Sequence, residues 1–244
     1  MKTALVTGGT RGIGAAISRE LAAQGWSVLV NARQETDELR ELVSGIVASG
    51  GACRQILFDV KDAQGAAVAL DSVGSLDLLV NNAGILRDNL LVQIPDSDWL
   101  EVLETNIHGP VRLYSILREK LLSSPEPVVV GMASISGVRP REGQGAYAVS
   151  KAMLVRWTAE MASIEPRIRF HAVSPGPVAT EMIRSAPWYK QPGAFDRIPL
   201  KRFAEPEEIA EIVAMLAGDG ALLASGGNLV VDGGFIQTTR GGEQ

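Results

Sequence analysis

The chain is poor in the side chains that build disulfides and metal sites. It has 244 residues but a single cysteine, Cys53, so neither an internal disulfide nor a multi-cysteine metal site can form. The two histidines, His108 and His171, lie far apart in the sequence, which disfavours a histidine-based metal site. We therefore expect no bound metal, and the cysteine usage is typical of a reducing, cytoplasmic setting.

Long apolar runs and an excess of positive charge are also missing. The apolar run before the first glycines is too short for the core of a signal peptide. No stretch approaches the roughly 20 apolar residues that a membrane-spanning helix requires. The formal net charge of −5 repels nucleic acid. We therefore expect neither a membrane span nor a nucleic-acid partner.

Aromatic residues make up only 5% of the chain, whereas glycine occurs 26 times, which favours an α/β protein over an aromatic-rich β-sandwich. Short β-branched runs alternate with stretches of helical periodicity. The central runs, such as Leu78–Val80 and Val128–Val130, are continuously apolar, which is typical of parallel strands covered on both faces. The predicted strands are Thr3–Thr7, Ser27–Ala32, Arg54–Val60, Leu76–Asn81, Val128–Ala133, Ile168–Val173 and Asn228–Val231.

Seven strands separated by helices predict a Rossmann-type, doubly wound parallel sheet flanked by helices. No low-complexity linker and no internal repeat interrupts the pattern. Residues 1–244 are therefore expected to form a single domain.

A glycine-rich turn, Thr7-Gly8-Gly9-Thr10-Arg11-Gly12-Ile13-Gly14, lies between the first predicted strand and the first predicted helix. Glycines let a ligand approach the backbone closely, and the next helix offers unpaired N–H groups and the positive end of its dipole. The arrangement suits a pyrophosphate, although G-x-x-x-G-x-G differs from the commoner G-x-G-x-x-G fingerprint. A tight connection without a ligand is the alternative interpretation.

The residues after the second predicted strand indicate which nicotinamide cofactor would bind. A carboxylate there accepts a hydrogen bond from a free ribose 2′-hydroxyl, whereas an arginine pairs with a 2′-phosphate. This chain has Arg33 and no carboxylate before Glu35, and Arg11 supplies a second cation. The pattern predicts NADPH/NADP+ rather than NADH. Two solvated surface arginines are the alternative.

Tyr147 and Lys151 are four residues apart in a helical segment, so their side chains lie on one face. A neighbouring ammonium group lowers the pKa of a phenol, which suits the phenol to act as a general acid in carbonyl reduction. Ser134 ends the fifth predicted strand, where a hydroxyl can donate to a substrate carbonyl as negative charge builds on it. Ser136, two residues later, is a competitor for this role.

These motifs, with Asn81-Asn82-Ala83-Gly84 closing the fourth strand, resemble those of the classical short-chain dehydrogenase/reductase family over essentially the whole chain. The resemblance implies a catalytic tetrad of Asn106, Ser134, Tyr147 and Lys151. It implies an adenine-side pair at Asp59-Val60, and a turn after the sixth strand whose Thr180 holds the nicotinamide carboxamide. The implied cofactor-binding residues are Gly8, Thr10, Arg11, Gly12, Ile13, Gly14, Arg33, Asp59, Val60, Asn82, Ala83, Gly84, Tyr147, Lys151, Pro175, Gly176, Val178 and Thr180.

In this family the backbone carbonyl of the tetrad asparagine holds a water that connects to the lysine. Residue 110 would normally donate a helical hydrogen bond to the Asn106 carbonyl, but Pro110 has no N–H group. We therefore predict a kinked helix in which the Asn106 carbonyl is exposed to the site.

Within the family, the runs Asn81–Leu91, Gly143–Tyr147 and Arg202–Ala210 are similar to those of 3-oxoacyl-carrier-protein reductases. The resemblance implies NADPH-dependent reduction of a 3-oxoacyl thioester in fatty-acid, polyketide or aryl-polyene-type synthesis, with an acyl-carrier-protein-linked or other acyl thioester as substrate. An NADP-linked dehydrogenase of a small free alcohol, sugar or ketone is the main alternative, and a cofactor-binding subunit without turnover is a third.

The segment 180–204 is expected to be the substrate lid. Trp188, Tyr189 and Phe195 fall within eight residues of this aromatic-poor chain, which suits an apolar acyl substrate. Packing of the lid or of a subunit interface is an equally weighted alternative. The predicted substrate residues are Ser134, Gln144, Tyr147, Met182 and Trp188.

Two departures weaken the resemblance to carrier-protein reductases. The expected basic residue before the fifth strand is absent, and the one before the sixth, Arg167, is shifted. Only eighteen positions separate Asp59 from Asp77, about one helical turn fewer than the relatives have. Five other basic residues have two alternative interpretations, a different carrier-binding patch or solvated charges on helices and strand ends: Arg112, Arg118, Lys120, Arg156 and Arg169.

Family members usually assemble as tetramers or dimers. Apolar residues on two helical segments, such as Leu113 and Leu154, permit such contacts. The resemblance therefore implies a homo-tetramer or a dimer, or a hetero-oligomer in which a partner subunit shares carrier recognition.

Overall fold

The computed structural model describes residues 1–87, 89–90, 92–140, 142–184, 193 and 195–237. The strands are β1 (Thr3–Val6), β2 (Ser27–Ala32), β3 (Ala52–Leu57), β4 (Leu78–Asn81), β5 (Val128–Met132), β6 (Arg169–Pro175) and β7 (Asn228–Val231). The helices are α1 (Gly12–Ala23), α2 (Asp37–Ala48), α3 (Ala63–Leu70), α4 (Asp96–Leu103), α5 (Gly109–Leu122), α6 (Gly145–Ile164), α7 (Glu181–Arg184) and α8 (Pro206–Ala217).

All seven strands form one parallel sheet in the order β3-β2-β1-β4-β5-β6-β7. The predicted doubly wound Rossmann-type sheet is therefore confirmed. The chain moves outward from β1 in one direction to β3 and then returns to place β4 on the other side of β1. Such a change of direction leaves a crevice at the carboxyl ends of the two central strands, where doubly wound proteins bind ligands.

Strand ends differ from the predicted ones by up to three residues. The third strand was expected to reach Val60, but it ends at Leu57, three residues earlier. The sixth strand was expected to end at Val173 but continues to Pro175, because Ser174 and Pro175 pair with Val230 and Val231 of β7. Pairing with a neighbouring strand decides these ends, and local sequence does not contain that information.

The sheet is covered on both faces, as the continuously apolar strands predicted. Alternate strand residues, such as Val6 and Val80, pack against α1, α2 and α8 on one face. The residues between them, such as Leu5 and Leu79, pack against α3, α5 and α6 on the other. Val47 on α2 is apolar but 52% exposed.

The described residues form neither a membrane-spanning helix nor a metal-binding cluster of side chains. Within the described ranges, no helix is long and apolar enough to cross a bilayer. The same ranges contain no group of three or more histidine, cysteine, aspartate or glutamate side chains that could hold a metal ion.

Candidate active site

The glycine-rich turn between β1 and α1 needs glycine at three positions for identifiable reasons. Gly8 and Gly12 adopt left-handed backbone angles, with φ of +58° and +55°. A Cβ atom on Gly14 would lie 2.4 Å from the Gly8 carbonyl oxygen and 2.6 Å from the Asn82 side-chain nitrogen. No side chain caps the start of α1. The turn is therefore a cradle of backbone N–H groups at a helix N-terminus, and it fits a pyrophosphate.

Thr7 and Asn82 hold this turn against the end of β4. The Thr7 hydroxyl donates to the Val80 carbonyl at 3.2 Å and accepts from the backbone N–H groups of Asn82 and Ala83 at 2.9 and 3.0 Å. The Asn82 side chain donates to the carbonyls of Thr7 and Gly8 at 2.9 and 3.0 Å. Thr7 was not among the predicted site residues, and the Asn82 amide supports the turn.

Asn31, near the end of β2, is a second support that the sequence analysis missed. Its side-chain oxygen accepts from the Gly8 N–H at 3.4 Å, and its nitrogen donates to the Phe58 carbonyl at 3.0 Å. Asn31 is 2% exposed. A polar residue inside the otherwise apolar run of β2 was the available signal, because a buried amide needs hydrogen-bond partners.

Arg11 and Arg33 stand at the carboxyl edge of β1 and β2. Both are exposed, and neither forms an ion pair or hydrogen bond within the part of the chain that the structure describes. Arg40 binds two of the nearby carboxylates, Asp37 at 2.6 Å and Glu35 at 3.4 Å. A third, Glu38, has its pKa lowered by backbone and Thr36 hydrogen bonds and, more weakly, by the charge of Arg11. Two guanidinium groups thus remain available to an anion near the glycine-rich turn.

A π-helical segment, Glu104–His108, joins α4 to α5 and contains Asn106. The predicted irregularity is present as this wider turn, which accommodates Pro110 and its missing N–H group. The predicted exposure of the Asn106 carbonyl is wrong, because Asn106 is 0% exposed. Its side chain exchanges hydrogen bonds with the backbone of Ile85 at 2.8 and 3.0 Å and donates to the Ser150 hydroxyl at 3.0 Å.

Lys151 is buried beside Asn106, at the end of β5. Its side chain donates to the Met132 carbonyl at 2.7 Å and lies 5.5 Å from the centre of the Tyr147 ring. A Cβ atom on Gly84 would be 3.4 Å from the Lys151 ammonium nitrogen and 3.3 Å from the Asn106 side-chain oxygen. The structure therefore brings the lysine, the tyrosine ring, the asparagine and the N-N-A-G turn together.

Burial lowers the pKa of the Lys151 ammonium group from 10.5 to about 8. Below pH 8 this lysine is charged in both the folded and the unfolded protein, so the folded state bears the full cost of the buried charge. As the pH rises from 8 to 10.5, the folded protein loses the proton before the unfolded chain does. The free energy of unfolding therefore increases with pH across this window.

The Lys151→Met variant is expected to lack this pH dependence. The stability of the wild type relative to the variant should increase by roughly 2 kcal/mol between pH 7 and pH 9.5, since each pKa unit is worth about 1.4 kcal/mol. Urea unfolding of both cofactor-free proteins at the two pH values measures this change. Lys61→Met, at a partly exposed lysine, is the matched control. An equal difference at both pH values would contradict the assignment.

Ser134 and Ser136 have different environments. The Ser134 hydroxyl accepts the Ser136 N–H at 3.1 Å, at the start of a short 3₁₀ turn, Ile135–Gly137. The Ser136 hydroxyl donates to the Gln144 side-chain oxygen at 2.9 Å. The Ser136 hydroxyl hydrogen is thus engaged by Gln144, whereas the Ser134 hydroxyl hydrogen is not engaged by the bond to Ser136, which favours Ser134 for the predicted role.

The turn after β6 places Thr180 beside the glycine-rich turn. A Cβ atom on Gly12 would lie 3.3 Å from the Thr180 methyl group. Gly176 packs against the backbone of Asp232, where a Cβ atom would lie 2.7 Å from the Asp232 Cα. Val178 is 7% exposed and bridges to Ala204. Residues predicted to hold the pyrophosphate and the nicotinamide of a dinucleotide are thus adjacent at one edge of the sheet.

The outer predicted cofactor residues lie along the same edge. Asp59 follows β3 and accepts the Lys61 N–H at 2.9 Å, and Val60 packs against Gly109 at the start of α5. Each of the described candidate residues therefore follows the carboxyl end of a strand or lies on a helix packed there. They share this edge because all strands are parallel, so that their carboxyl ends lie together.

The proposed lid is described only in part. Trp188, Tyr189 and the side chain of Met182 lie outside the described residues. Phe195 packs edge-to-face on Phe203, with ring centres 5.1 Å apart, beside Ile198. For Phe195 this contact favours packing of the lid over substrate contact.

The cations considered for carrier binding have intramolecular partners. Arg118 and Arg167 both bind Glu165, the latter at 3.2 Å, and Arg112 binds Glu104 at 2.6 Å. The remaining three bind a carboxylate or backbone carbonyls: Lys120, Arg156 and Arg169. These contacts favour the interpretation of structural and solvated charges over a carrier-binding patch.

The parallel sheet carries a glycine-rich turn at the point where the strand order changes direction. This arrangement defines a doubly wound nucleotide-binding oxidoreductase. The family model adh_short_C2, described as enoyl-(acyl carrier protein) reductase, matches residues 8–236. The chain belongs to the short-chain dehydrogenase/reductase family, whose members act on CH–OH and C=O groups with a nicotinamide cofactor.

Curated relatives match nearly the whole chain. The protein named 3-oxoacyl-[acyl-carrier-protein] reductase FabG from Pseudomonas aeruginosa is 34% identical over 243 residues, covering 97% of this chain and 98% of the relative. The protein of the same name from Escherichia coli K12 is 34% identical over 240 residues, covering 96% and 97%.

Solved structures with the same fold carry different names. A putative gluconate dehydrogenase from Agrobacterium tumefaciens has a TM-score of 0.91 at 26% identity, covering 98% of this chain and 97% of its own. A gluconate 5-dehydrogenase from Burkholderia cenocepacia, in complex with NADP and tartrate, has a TM-score of 0.89 at 27% identity, covering 98% and 96%.

Proposed function

We propose that this protein reduces a 3-oxoacyl thioester to the 3-hydroxyacyl thioester with NADPH. The observation that carries the proposal is the gathering of Lys151, Tyr147 and Asn106 around Gly84, at the carboxyl end of β5. The name shared by the 34% identical relatives supports the acyl-thioester class of substrate. We assign the whole of 1–244 to one catalytic domain with a substrate lid at about 180–204.

The described residues fit a nicotinamide dinucleotide. The Gly8–Gly14 cradle would hold the pyrophosphate, and the exposed guanidinium groups of Arg11 and Arg33 would hold a 2′-phosphate. Asp59 and Val60 would lie on the adenine side, and Thr180 at the nicotinamide. When bound, NADPH supplies the hydride that the reaction requires. The NADP in a neighbouring structure of the same fold supports this choice.

Four residues of this chain would act on the substrate carbonyl. Ser134 would donate its hydroxyl hydrogen to the reacting oxygen and stabilise the developing negative charge. Tyr147 would give the proton to the same oxygen. Lys151 would lower the pKa of Tyr147 and bind the nicotinamide ribose, and Asn106 would position the lysine through its place in the π-helical segment. Met182 and Trp188 would line the acyl site together with Gln144.

Oxidation of a free sugar acid is the second candidate function. The structural neighbours named for gluconate favour this function. It is also favoured because the basic residues considered for carrier binding already bind carboxylates or backbone carbonyls of this chain. The description of the matching family model names enoyl reduction, which is a third substrate type to test.

We further propose that the protein works in the cytoplasm on an acyl-carrier-protein-linked or other acyl thioester. A homo-tetramer or dimer, or a hetero-oligomer, is the proposed assembly. Leu113 and Leu154, which the sequence offered for such contacts, are each 1% exposed inside this chain. The exposed apolar residues Val111 on α5 and Met153 on α6 would contribute instead.

A panel of substrates tests the proposed function. NADPH oxidation is expected with acetoacetyl-pantetheine and with acetoacetyl carrier protein, at kcat/KM values at least about tenfold above those for simple ketones. Crotonyl-pantetheine tests enoyl reduction, and gluconate with NADP+ tests sugar-acid oxidation. Higher activity with gluconate or with the crotonyl thioester than with the acetoacetyl thioester would defeat the proposal.

A further inference from the structure

Ser136 joins the end of β5 to the start of α6 through two hydrogen bonds. Its backbone N–H donates to the Ser134 hydroxyl at 3.1 Å, and its own hydroxyl donates to the Gln144 side-chain oxygen at 2.9 Å. Ser136 is 6% exposed. Gln144 immediately precedes α6 and lies three residues before Tyr147. The link therefore connects the segment that carries Ser134 with the start of the helix that carries Tyr147.

This link determines the orientation of the Gln144 amide. The Ser136 hydroxyl has no other hydrogen bond among the described residues. If the amide were reversed, the buried hydroxyl hydrogen would lose its acceptor, which is unfavourable. The amide oxygen is therefore held toward Ser136, and the NH₂ group is turned away from it.

The NH₂ group of Gln144 remains available as a donor. Gln144 is partly exposed, and its side-chain nitrogen forms no hydrogen bond within the described part of the chain. Its backbone is held in place, since Asn89 donates to the neighbouring Gly143 carbonyl at 2.8 Å. The site thus has a fixed amide donor on Gln144 in addition to the hydroxyl groups of Ser134 and Tyr147.

We propose that Ser136 is a positioning residue that turns the Gln144 NH₂ group toward a second oxygen of the substrate, two carbons from the reacting carbonyl. A 3-oxoacyl thioester has such an oxygen on its thioester carbonyl, whereas a simple ketone does not. Ser134 and Tyr147 bind the reacting oxygen, and Gln144 binds the other. The protein thereby selects 1,3-dicarbonyl substrates. This inference rests on the proposed function.

The test compares two substrates that differ in the second oxygen. One is acetoacetyl-pantetheine, and the other is 3-oxobutyl-pantetheine thioether, in which a methylene replaces the thioester carbonyl. Each variant is described by its ratio of kcat/KM for the thioester to kcat/KM for the thioether. The ratio cancels effects that a variant has on cofactor binding or on general packing, because both substrates share them.

Ser136→Ala is expected to lower this ratio about three- to tenfold, as for the loss of one neutral hydrogen bond, mainly through a higher KM for the thioester. Gln144→Met should lower it to a similar extent. The double variant should lose little more than either single variant, because both changes remove the same contact. Ser136→Thr keeps the hydroxyl and should restore the ratio to within about twofold.

The possible results distinguish failure of the inference from a folding defect and from failure of the proposed function. An unchanged ratio in Gln144→Met, which alters a partly exposed side chain and leaves the core intact, would overturn the inference even if Ser136→Ala failed to fold. Additive losses in the double variant would also overturn it. If the wild type reduced neither substrate but oxidised gluconate, both the proposed function and the inference would fail.

Discussion

Replacing Tyr147 by phenylalanine is expected to reduce turnover of acetoacetyl-pantetheine about 1,000-fold, because proton transfer by a positioned side chain contributes roughly 100- to 10,000-fold. The ring remains, so the packing around Lys151, 5.5 Å from the ring centre, is preserved. Only the hydroxyl that is proposed to give the proton to the substrate oxygen is lost. The Kd for NADPH, measured by fluorescence titration, should change by less than about tenfold, the loss expected of one neutral hydrogen bond at most.

Tyr114→Phe makes the same chemical change away from the site and is the matched control. Tyr114 lies on α5 and packs edge-to-face on Trp157 and Phe170, with ring centres 5.8 and 5.5 Å away. Its variant should turn over the substrate at nearly the wild-type rate. Retained turnover in Tyr147→Phe, with NADPH still bound, would remove Tyr147 from the reaction. A loss of NADPH binding together with turnover would indicate a structural role.

Replacing Arg33 by glutamate is expected to invert the preference for NADPH over NADH. Each charge-assisted hydrogen bond to a phosphate is worth about 1.5–3 kcal/mol, so the ratio of kcat/KM values for the two cofactors should fall roughly 100-fold. The introduced carboxylate repels the 2′-phosphate and accepts a hydrogen bond from the free 2′-hydroxyl of NADH. Arg11→Ala, in the glycine-rich turn, should lower the ratio about tenfold by the same reasoning.

Arg19→Ala controls for a general loss of positive charge. Arg19 is exposed on α1, the helix that begins immediately after Arg11, and it should not contact the 2′-phosphate. Its variant is expected to keep the wild-type cofactor ratio, measured at fixed ionic strength. An unchanged ratio in Arg33→Glu would show that the two arginines are solvated charges and would leave cofactor choice to other residues.

The sheet could be predicted because each strand carries its own evidence. Runs such as Leu78–Val80 are apolar at every position, which is the pattern of a strand covered on both faces, and helical periodicity lies between the runs. Their ends were less predictable. Pro175 belongs to β6 only because it pairs with Val231, which lies more than fifty residues later in the chain.

The π-helical segment at Asn106 was predicted only in part from the local sequence. Pro110 correctly indicated that the helix through Asn106 is irregular, because a missing N–H group is a property of one residue. The exposure of the Asn106 carbonyl was predicted wrongly. Ile85 and Ser150 belong to elements distant in sequence, and the structure packs both against Asn106.

The sequence by itself determined the parallel sheet, the glycine-rich turn and the Tyr147–Lys151 pair, because periodicity, glycine spacing and helical geometry depend on neighbours along the chain. Only the tertiary structure decided the supports of the site. Thr7 and Asn31 hold the turn, and Ser136 orients Gln144, through hydrogen bonds between segments that meet only after folding. A short polar side chain has several possible partners in a sequence, and packing selects one of them.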